Sequence, residues 1–230
     1  MSIVYIVSAP SGSGKSTLVN ELFKVVKHLD FSISYTTRHP RGSEQNGKEY
    51  FFVTKEQFEA MIEAEEFLEY ANVFGYYYGT AKRFLRDAEA RGNDLLLDID
   101  VQGAQQVKKC IPGAASIFIL PPDREKLEWR LRNRGLDSED VIRRRLDTAR
   151  REIENYSKYD YILVNERLER ATDELKAIVL AERIRRSGDK PSTEESRLLE
   201  IARSCCLYQA RERVRPILES FGALGGLDAN

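Results

Sequence analysis

Phosphate chemistry is most densely written in the stretch Ser8-Ala9-Pro10-Ser11-Gly12-Ser13-Gly14-Lys15-Ser16-Thr17. Glycines let backbone N–H groups close around an anion, and a helix starting just after them adds the positive end of its dipole. Lys15 would reach the β- and γ-phosphates of a nucleoside triphosphate, and the Ser16 hydroxyl would ligate Mg²⁺. The flanks suit this: Ile3 to Val7 is an apolar, β-branched strand, and Leu18, Val19, Leu22, Phe23 and Val26 recur at helical spacing. The usual pattern is G-x-x-x-x-G-K-[ST], and this chain has Ala9 at its first glycine. Alanine fits there provided φ stays negative. A Gly/Ser-rich turn that merely precedes a lysine leaves the strand and helix around it unexplained.

The elements that must hold this loop come from a chain of 230 residues, enough for one large domain or a core with small inserted subdomains. Hydrophobic residues make up 42% and charged residues 32%, with a formal net charge of −1. No global field draws such a chain to nucleic acid or an anionic membrane, so neither is expected as a partner, and any anion site must be built locally. Cys110, Cys205 and Cys206, with His28 and His39, lack the spacing of a zinc site or disulfide framework. No apolar run approaches a membrane span, and residues 1–7 are too short for a signal peptide, so a cytoplasmic location is expected.

Along the chain, Phe31 to Thr37 alternates as a strand, Glu49 to Val53 reads as another, and Thr54 to Gln57 is a capping box opening a helix. Phe67 to Phe74 is strand-like and Gly75 to Gly79 a loop or short strand, so residues 31–80 read as a mainly antiparallel insertion. Helix and strand then alternate: a helix over Ala81 to Arg91, an apolar strand from Asp94 to Asp100, a helix over Gln102 to Cys110, a strand over Ser116 to Leu120, arginine-dense helices across 123–157, a strand over Tyr161 to Val164 and a helix over Leu168 to Arg186. Residues 187–191 read as a linker. Ser192 to Glu195 is a second capping box, and two apolar stripes follow.

Arg38 and Arg41 share one loop, and Tyr50 and Tyr78 could bring hydroxyls beside it. Guanidinium forks and phenols suit a dianionic phosphate. Surface arginines and core tyrosines account for the same spacing equally well.

Several runs together resemble guanylate kinase: Ser34-Tyr35-Thr36-Thr37-Arg38-x-Pro40-Arg41, Gly47-Lys48-x-Tyr50-x-Phe52, Glu69, Tyr77-Tyr78-Gly79-Thr80 and Leu97-Asp98-Ile99-Asp100-Val101-Gln102-Gly103. Order and separations match that family from Ile3 to about Arg183. The resemblance implies an α/β fold: a P-loop NTPase core with a parallel sheet flanked by helices, an inserted GMP-binding subdomain and a helical lid. It divides the chain into a domain over 1–186, with core segments 1–30, 81–122 and 158–186, insertion 31–80 and lid 123–157, and a helical C-terminal extension over 187–230. It implies Mg²⁺-dependent transfer of the γ-phosphoryl of ATP to GMP or dGMP.

The resemblance also assigns roles. Arg38, Arg41, Tyr50 and Tyr78 correspond to GMP-phosphate contacts, Ser34 and Thr80 to donors for guanine O6, and Glu69 and Asp100 to acceptors for its N–H groups. Ala9 through Thr17 hold ATP, with Ser16 on Mg²⁺ and Asp98 behind the metal. Arg130, Arg134 and Arg145 match lid arginines, and Asn165 resembles the adenine-side loop, although a turn-forming asparagine reads nearly as well. Lys15, Arg41, Arg134, Arg145 and Asp98 form the catalytic set. Guanine presents O6 and an N2 amino group, whereas adenine has an amino group in place of O6 and nothing at position 2, so Glu69 and Asp100 would lose partners with adenine.

Rival readings are weaker. A ribose-bisphosphate kinase would not need Ser34, Glu69, Thr80 and Asp100. A non-catalytic phosphopeptide module would have a damaged phosphate loop. A generic ATPase leaves the insertion unexplained. Residues 187–230 lie outside the resemblance, and their stripes must bury against the core, a second subunit in a homo-oligomer, or another protein. Cys205-Cys206 beside one stripe reads as two buried small hydrophobes.

Overall fold

The structure, a computed structural model, describes residues 2–73, 75–133 and 138–223. The chain runs through β1 (Val4–Ser8), α1 (Lys15–Val25), β2 (Leu29–Ser32), β3 (Tyr35–Thr36), β4 (Phe51–Phe52), α2 (Lys55–Glu63), β5 (Phe67–Val73), β6 (Tyr76–Ala81), α3 (Arg83–Arg91), β7 (Asp94–Asp98), α4 (Val101–Cys110) and β8 (Ala115–Leu120). It continues through α5 (Arg124–Asn133), α6 (Glu139–Ile153), a 3₁₀ turn (Tyr156–Lys158), β9 (Tyr161–Val164), α7 (Leu168–Ser187), α8 (Thr193–Cys205) and α9 (Leu207–Phe221). Five strands form a parallel sheet of order β2-β7-β1-β8-β9, and four form a second sheet of order β4-β3-β6-β5. In β1 and β8 every residue is buried, as continuous apolar runs in a parallel sheet require. Among the described residues no helix is long and apolar enough to cross a membrane.

The chain forms two compact units, Met1–Ile6 with His28–Ala114, and Val7–Lys27 with Ala115–Asn230. The first carries the smaller sheet. Its β5–β6 hairpin is antiparallel, as is β3–β6, while β3–β4 is parallel. Phe58, Phe67 and Ala81 are its core, with the Phe58 and Phe67 rings stacked 4.4 Å apart. Gly79 makes that stack possible, because a Cβ there would lie 2.9 Å from the Phe67 ring and 3.0 Å from Phe58. The Thr54/Gln57 capping box opens α2, satisfying helix-end donors reciprocally.

One expectation fails here. Phe31 to Thr37 is not a single strand: β2 pairs with β7 in the parallel sheet, and β3 pairs with β4 and β6 in the other. The Phe51 N–H donates to the Ser34 carbonyl and the Val53 N–H to that of Thr36. The chain therefore changes hydrogen-bonding partner between Ser32 and Tyr35, which side-chain alternation cannot register.

In the second unit α7 is buried on more than one side. Ala171, Glu174, Leu175, Ala177, Ile178, Val179 and Ala181 are all covered, too many for one stripe of a surface helix. Both tail helices lie in this unit. The Ser192/Glu195 box opens α8. Ala202, Cys205, Ala210, Val214, Ile217, Leu218 and Phe221 are buried, so most of the two apolar stripes is covered within the chain, while Ile201 of the first stays exposed. Cys206 bridges to Tyr161 and the Leu207 N–H donates to the Asp160 carbonyl at 3.0 Å, which covers the outer end of edge strand β9. Cys205 is buried, and that burial pushes its thiol pKa up, away from reactivity. Cys206 is only half-buried, so the expectation of two buried cysteines holds for one of them.

Candidate functional site

The candidate phosphate loop lies between β1 and α1, as its sequence context requires. Gly12 and Gly14 take positive φ, 93° and 86°. Outside glycine only His28 and Glu65 do so among the described residues, so Ala9 meets the condition set for replacing glycine. The Ser13 N–H donates to the Pro10 carbonyl at 3.1 Å and closes the turn. Gly14 is the N-cap of α1 with no side-chain cap, and the first turn, containing Lys15 and Ser16, has no acidic residue. The dipole end is thus left for an external anion. The Ser8 and Ser13 hydroxyls are buried without a hydrogen-bond partner.

The loop rests on Asn165 and Arg130, expected at the adenine-side loop and the lid. Asn165 is 5% exposed, and its Nδ2 donates to the Ser13 carbonyl at 2.8 Å. A Cβ on Gly14 would lie 2.5 Å from that Nδ2. Arg130 donates to the Ser13 carbonyl at 3.3 Å and to the Asn165 carbonyl at 2.9 Å. Both residues therefore hold the loop's backbone, a role spacing did not reveal. Arg145 is half-buried on α6. Arg134, and Gly135 beside it, lie outside the described residues.

In the other unit three of the four expected phosphate contacts come together. The Arg38 Nε donates to the Tyr78 hydroxyl at 3.2 Å, and its guanidinium carbon lies 5.3 Å from the Tyr50 ring centroid. The Tyr50 and Tyr78 rings meet edge to face at 5.9 Å. Burial raises the Tyr50 pKa first, and the negative charge of Asp98 adds to it, so Asp98 lies near this group. Arg41 is exposed, and its N–H donates to Glu44 at 2.8 Å.

Glu44 is the residue the sequence reading missed. It takes the Arg38 fork in both hands, Nη1 donating at 2.9 Å and Nη2 at 3.0 Å. The pair raises the Arg38 pKa and lowers that of Glu44, each chiefly through these hydrogen bonds. A carboxylate three residues beyond Arg41 is the only signal the sequence offers, and it resembles any loop acid.

Glu69 faces Thr80 across the β5–β6 ladder. Its carboxyl is 5% exposed, and burial, reinforced by Asp100, pushes its pKa up to about 7. Thr80, close beside it, opposes that rise through its hydroxyl and its backbone N–H. Asp100 caps α4, its Oδ1 accepting from the Gly103 N–H at 2.8 Å. Gly103 has no side chain where one would collide: a Cβ would lie 2.5 Å from Glu69 Oε2 and 3.4 Å from Asp100 Oδ1. Glu69, Thr80, Asp100 and Gly103 thus form one group, with two carboxyls as acceptors and a hydroxyl as donor. Ser34 sits at the turn into β3, half-buried.

Gly103→Ala is expected to displace the Glu69 carboxyl while the helix itself gains up to ~1 kcal/mol of propensity. If GMP is the substrate, as the resemblance implies, its KM should rise about tenfold or more, since a 1 Å misplacement can cost that much, with the melting temperature held or raised. An unchanged KM would mean that Glu69 does not touch the substrate.

The family described as Guanylate kinase matches residues 1–182. A guanylate kinase of Koribacter versatilis is 62% identical over 221 residues, covering 95% of each chain and so the tail helices as well. One from Geobacter metallireducens is 50% identical over 183 residues, covering 80% of this chain and 90% of its own. The crystal structure of guanylate kinase from Anaplasma phagocytophilum superimposes with a TM-score of 0.67 at 35% identity, covering 80% of this chain and 87% of that one. Match length and identity agree with the residues that first suggested it: this chain belongs to the guanylate kinase family.

Proposed function

We propose that the protein transfers the γ-phosphoryl group of ATP to GMP, and to dGMP, giving ADP and the guanosine diphosphate, as a cytoplasmic enzyme of purine nucleotide metabolism. The observation that carries the choice of GMP is the cluster at Glu69. Its Thr80 hydroxyl suits O6, and its two carboxyls suit the N1 and N2 hydrogens of guanine. Residues 9–17 bind the ATP phosphates, with Arg130 and Asn165 behind them. Arg38, Arg41, Tyr50 and Tyr78 bind the GMP phosphate, and Ser34, Glu69, Thr80 and Asp100 its base.

The donor set fits Mg²⁺: Ser16 is an exposed hydroxyl in the first turn of α1, and Mg²⁺ takes few protein oxygens beside substrate phosphates. When bound, the ion neutralises phosphate charge. No general base is required of the chain, because a phosphate monoester's second pKa is near ~6 and the GMP oxygen is already ionised at neutral pH. Lys15 holds the ATP phosphates. Arg41, Arg134 and Arg145 offset the charge spreading over the transferring group, and Asp98 is the acid assigned to the reacting phosphates. The lid role of 123–157 is part of the same proposal.

A coupled ADP-release assay with ATP and Mg²⁺ tests this reading across GMP, dGMP, AMP, UMP and ribose bisphosphate. GMP is expected to exceed AMP by roughly 10⁴ in kcat/KM, the discrimination open to a site that hydrogen-bonds its substrate. Comparable rates for AMP, or a preference for ribose bisphosphate, would overturn it.

A further inference from the structure

The tail helices reach further than the edge strand. At the end of α9 the Ser220 hydroxyl accepts from the Arg124 N–H, the first residue of α5, at 3.1 Å, and donates to the Ile217 carbonyl at 2.7 Å. Asp123 accepts from the Lys126 N–H at 2.6 Å. The opening donors of α5 are therefore shared between its own cap and a residue from another helix. Phe221 is 4% exposed and, with Ser220 and Gly222, borders a cavity of about 270 Å³ also lined by Arg124, Leu146 and Arg150. The end of α9 thus sits where α5 begins and beside α6.

What α5 does with its other face links this contact to the phosphate loop. Leu127 and Leu131 are fully buried, and a Cβ on Gly12 would lie 3.0 Å and 2.9 Å from their methyls. The loop's backbone lies directly on them. Arg130, on the same helix, holds the Ser13 carbonyl. Any shift of α5 along its axis would move the seat of Gly12 and the anchor of Ser13 together.

We propose that α9 is a brace for the phosphate loop, with Ser220 and Phe221 as positioning residues that act on ATP through α5. This rests on residues 9–17 being the ATP site. A loop whose N–H groups must all aim at one anion gains from being held before the ligand arrives. The core end of α9 is fixed separately, by Arg213 to Glu174 and to the Ile162 carbonyl.

The test measures kcat and both KM values for Ser220→Ala, Ser220→Thr and Phe221→Ala in the full chain, each well below its own melting temperature. Ser220→Ala is expected to raise the KM for ATP about fivefold with the KM for GMP within about twofold, and Ser220→Thr, which keeps the hydroxyl, to restore it. Phe221→Ala should give the same split more strongly. If Phe221→Ala does not fold, Ser220→Ala alone decides. Lower melting temperatures with an unchanged KM for ATP, or equal rises in both KM values, would overturn the brace. The ATP-site reading fails by a different result, retention of turnover and ATP affinity by Lys15→Ala.

Discussion

On the proposed assignment of Glu69 to the guanine base, replacing Glu69 with alanine is expected to cut kcat/KM for GMP by roughly a hundredfold or more while leaving the KM for ATP within about twofold, because a buried partner of the base would be lost and residues 9–17 are left as they are. Its signature is pH. In the ligand-free protein the carboxyl titrates near pH 7, raised from an ordinary glutamate value of 4.5 by burial and then by Asp100. Guanine N–H groups bound there, as proposed, would favour the carboxylate, so GMP would have to expel a proton at and below that pH. Through this group alone, GMP affinity should fall about tenfold from pH 8 to pH 6. The GMP phosphate titrates in the same range, so the comparison is with Glu69→Gln, which keeps the phosphate's contribution and loses the carboxyl's. Calorimetry in buffers of differing ionisation enthalpy reads the proton directly. Stability runs the opposite way: the folded form binds more protons between pH 4.5 and 7, so this group's contribution is full below 4.5 and lost as pH rises to 7. A GMP affinity with the same pH profile in wild type and Glu69→Gln would sink the assignment of Glu69 to the base.

How deeply Glu69 is buried is not written in the sequence. What was legible depended on local pattern. The strand–glycine–helix turn was readable because its parts lie within one short stretch, and the two capping boxes because each spans four residues. What required the fold is non-local. Phe31 to Thr37 alternates throughout, yet two sheets share it, since partner exchange leaves no trace in alternation. Asp100 was expected at guanine, and it also caps α4, an ordinary duty for an aspartate before a helix. Glu44 is the fullest case, a loop acid whose importance exists only once Arg38 folds onto it. Asn165 and Arg130 lie 152 and 117 residues from the Ser13 carbonyl they hold. No spacing rule joins them to it.

The same non-local reasoning makes the tail part of the fold, and Arg213→Ala is the sharpest way to show it. Glu174 on α7 is 6% exposed, and Arg213 of α9 donates to it at 3.1 Å while a second arm reaches the Ile162 carbonyl at 3.1 Å. Removing the arginine leaves a buried carboxylate and a strand carbonyl short of partners, which typically costs ~3–5 kcal/mol. Arg170 also pairs with Glu174 at 3.1 Å, from a mostly exposed side chain, so the low end, about 3 kcal/mol, is expected. In a chain of this length that lowers the melting temperature by roughly 10 °C. Truncation after Ser187 removes the same contact together with the cover over α7 and β9, and should yield insoluble or unfolded protein instead of a shorter enzyme. The double variant Glu174→Leu with Arg213→Met separates charge from packing: with no carboxylate left to strand, at least half of the loss should return. A melting temperature within about 2 °C of wild type for Arg213→Ala would mean less than ~1 kcal/mol was at stake. The tail would then be an attachment to a finished domain, and the apolar surface of α7 would need another explanation.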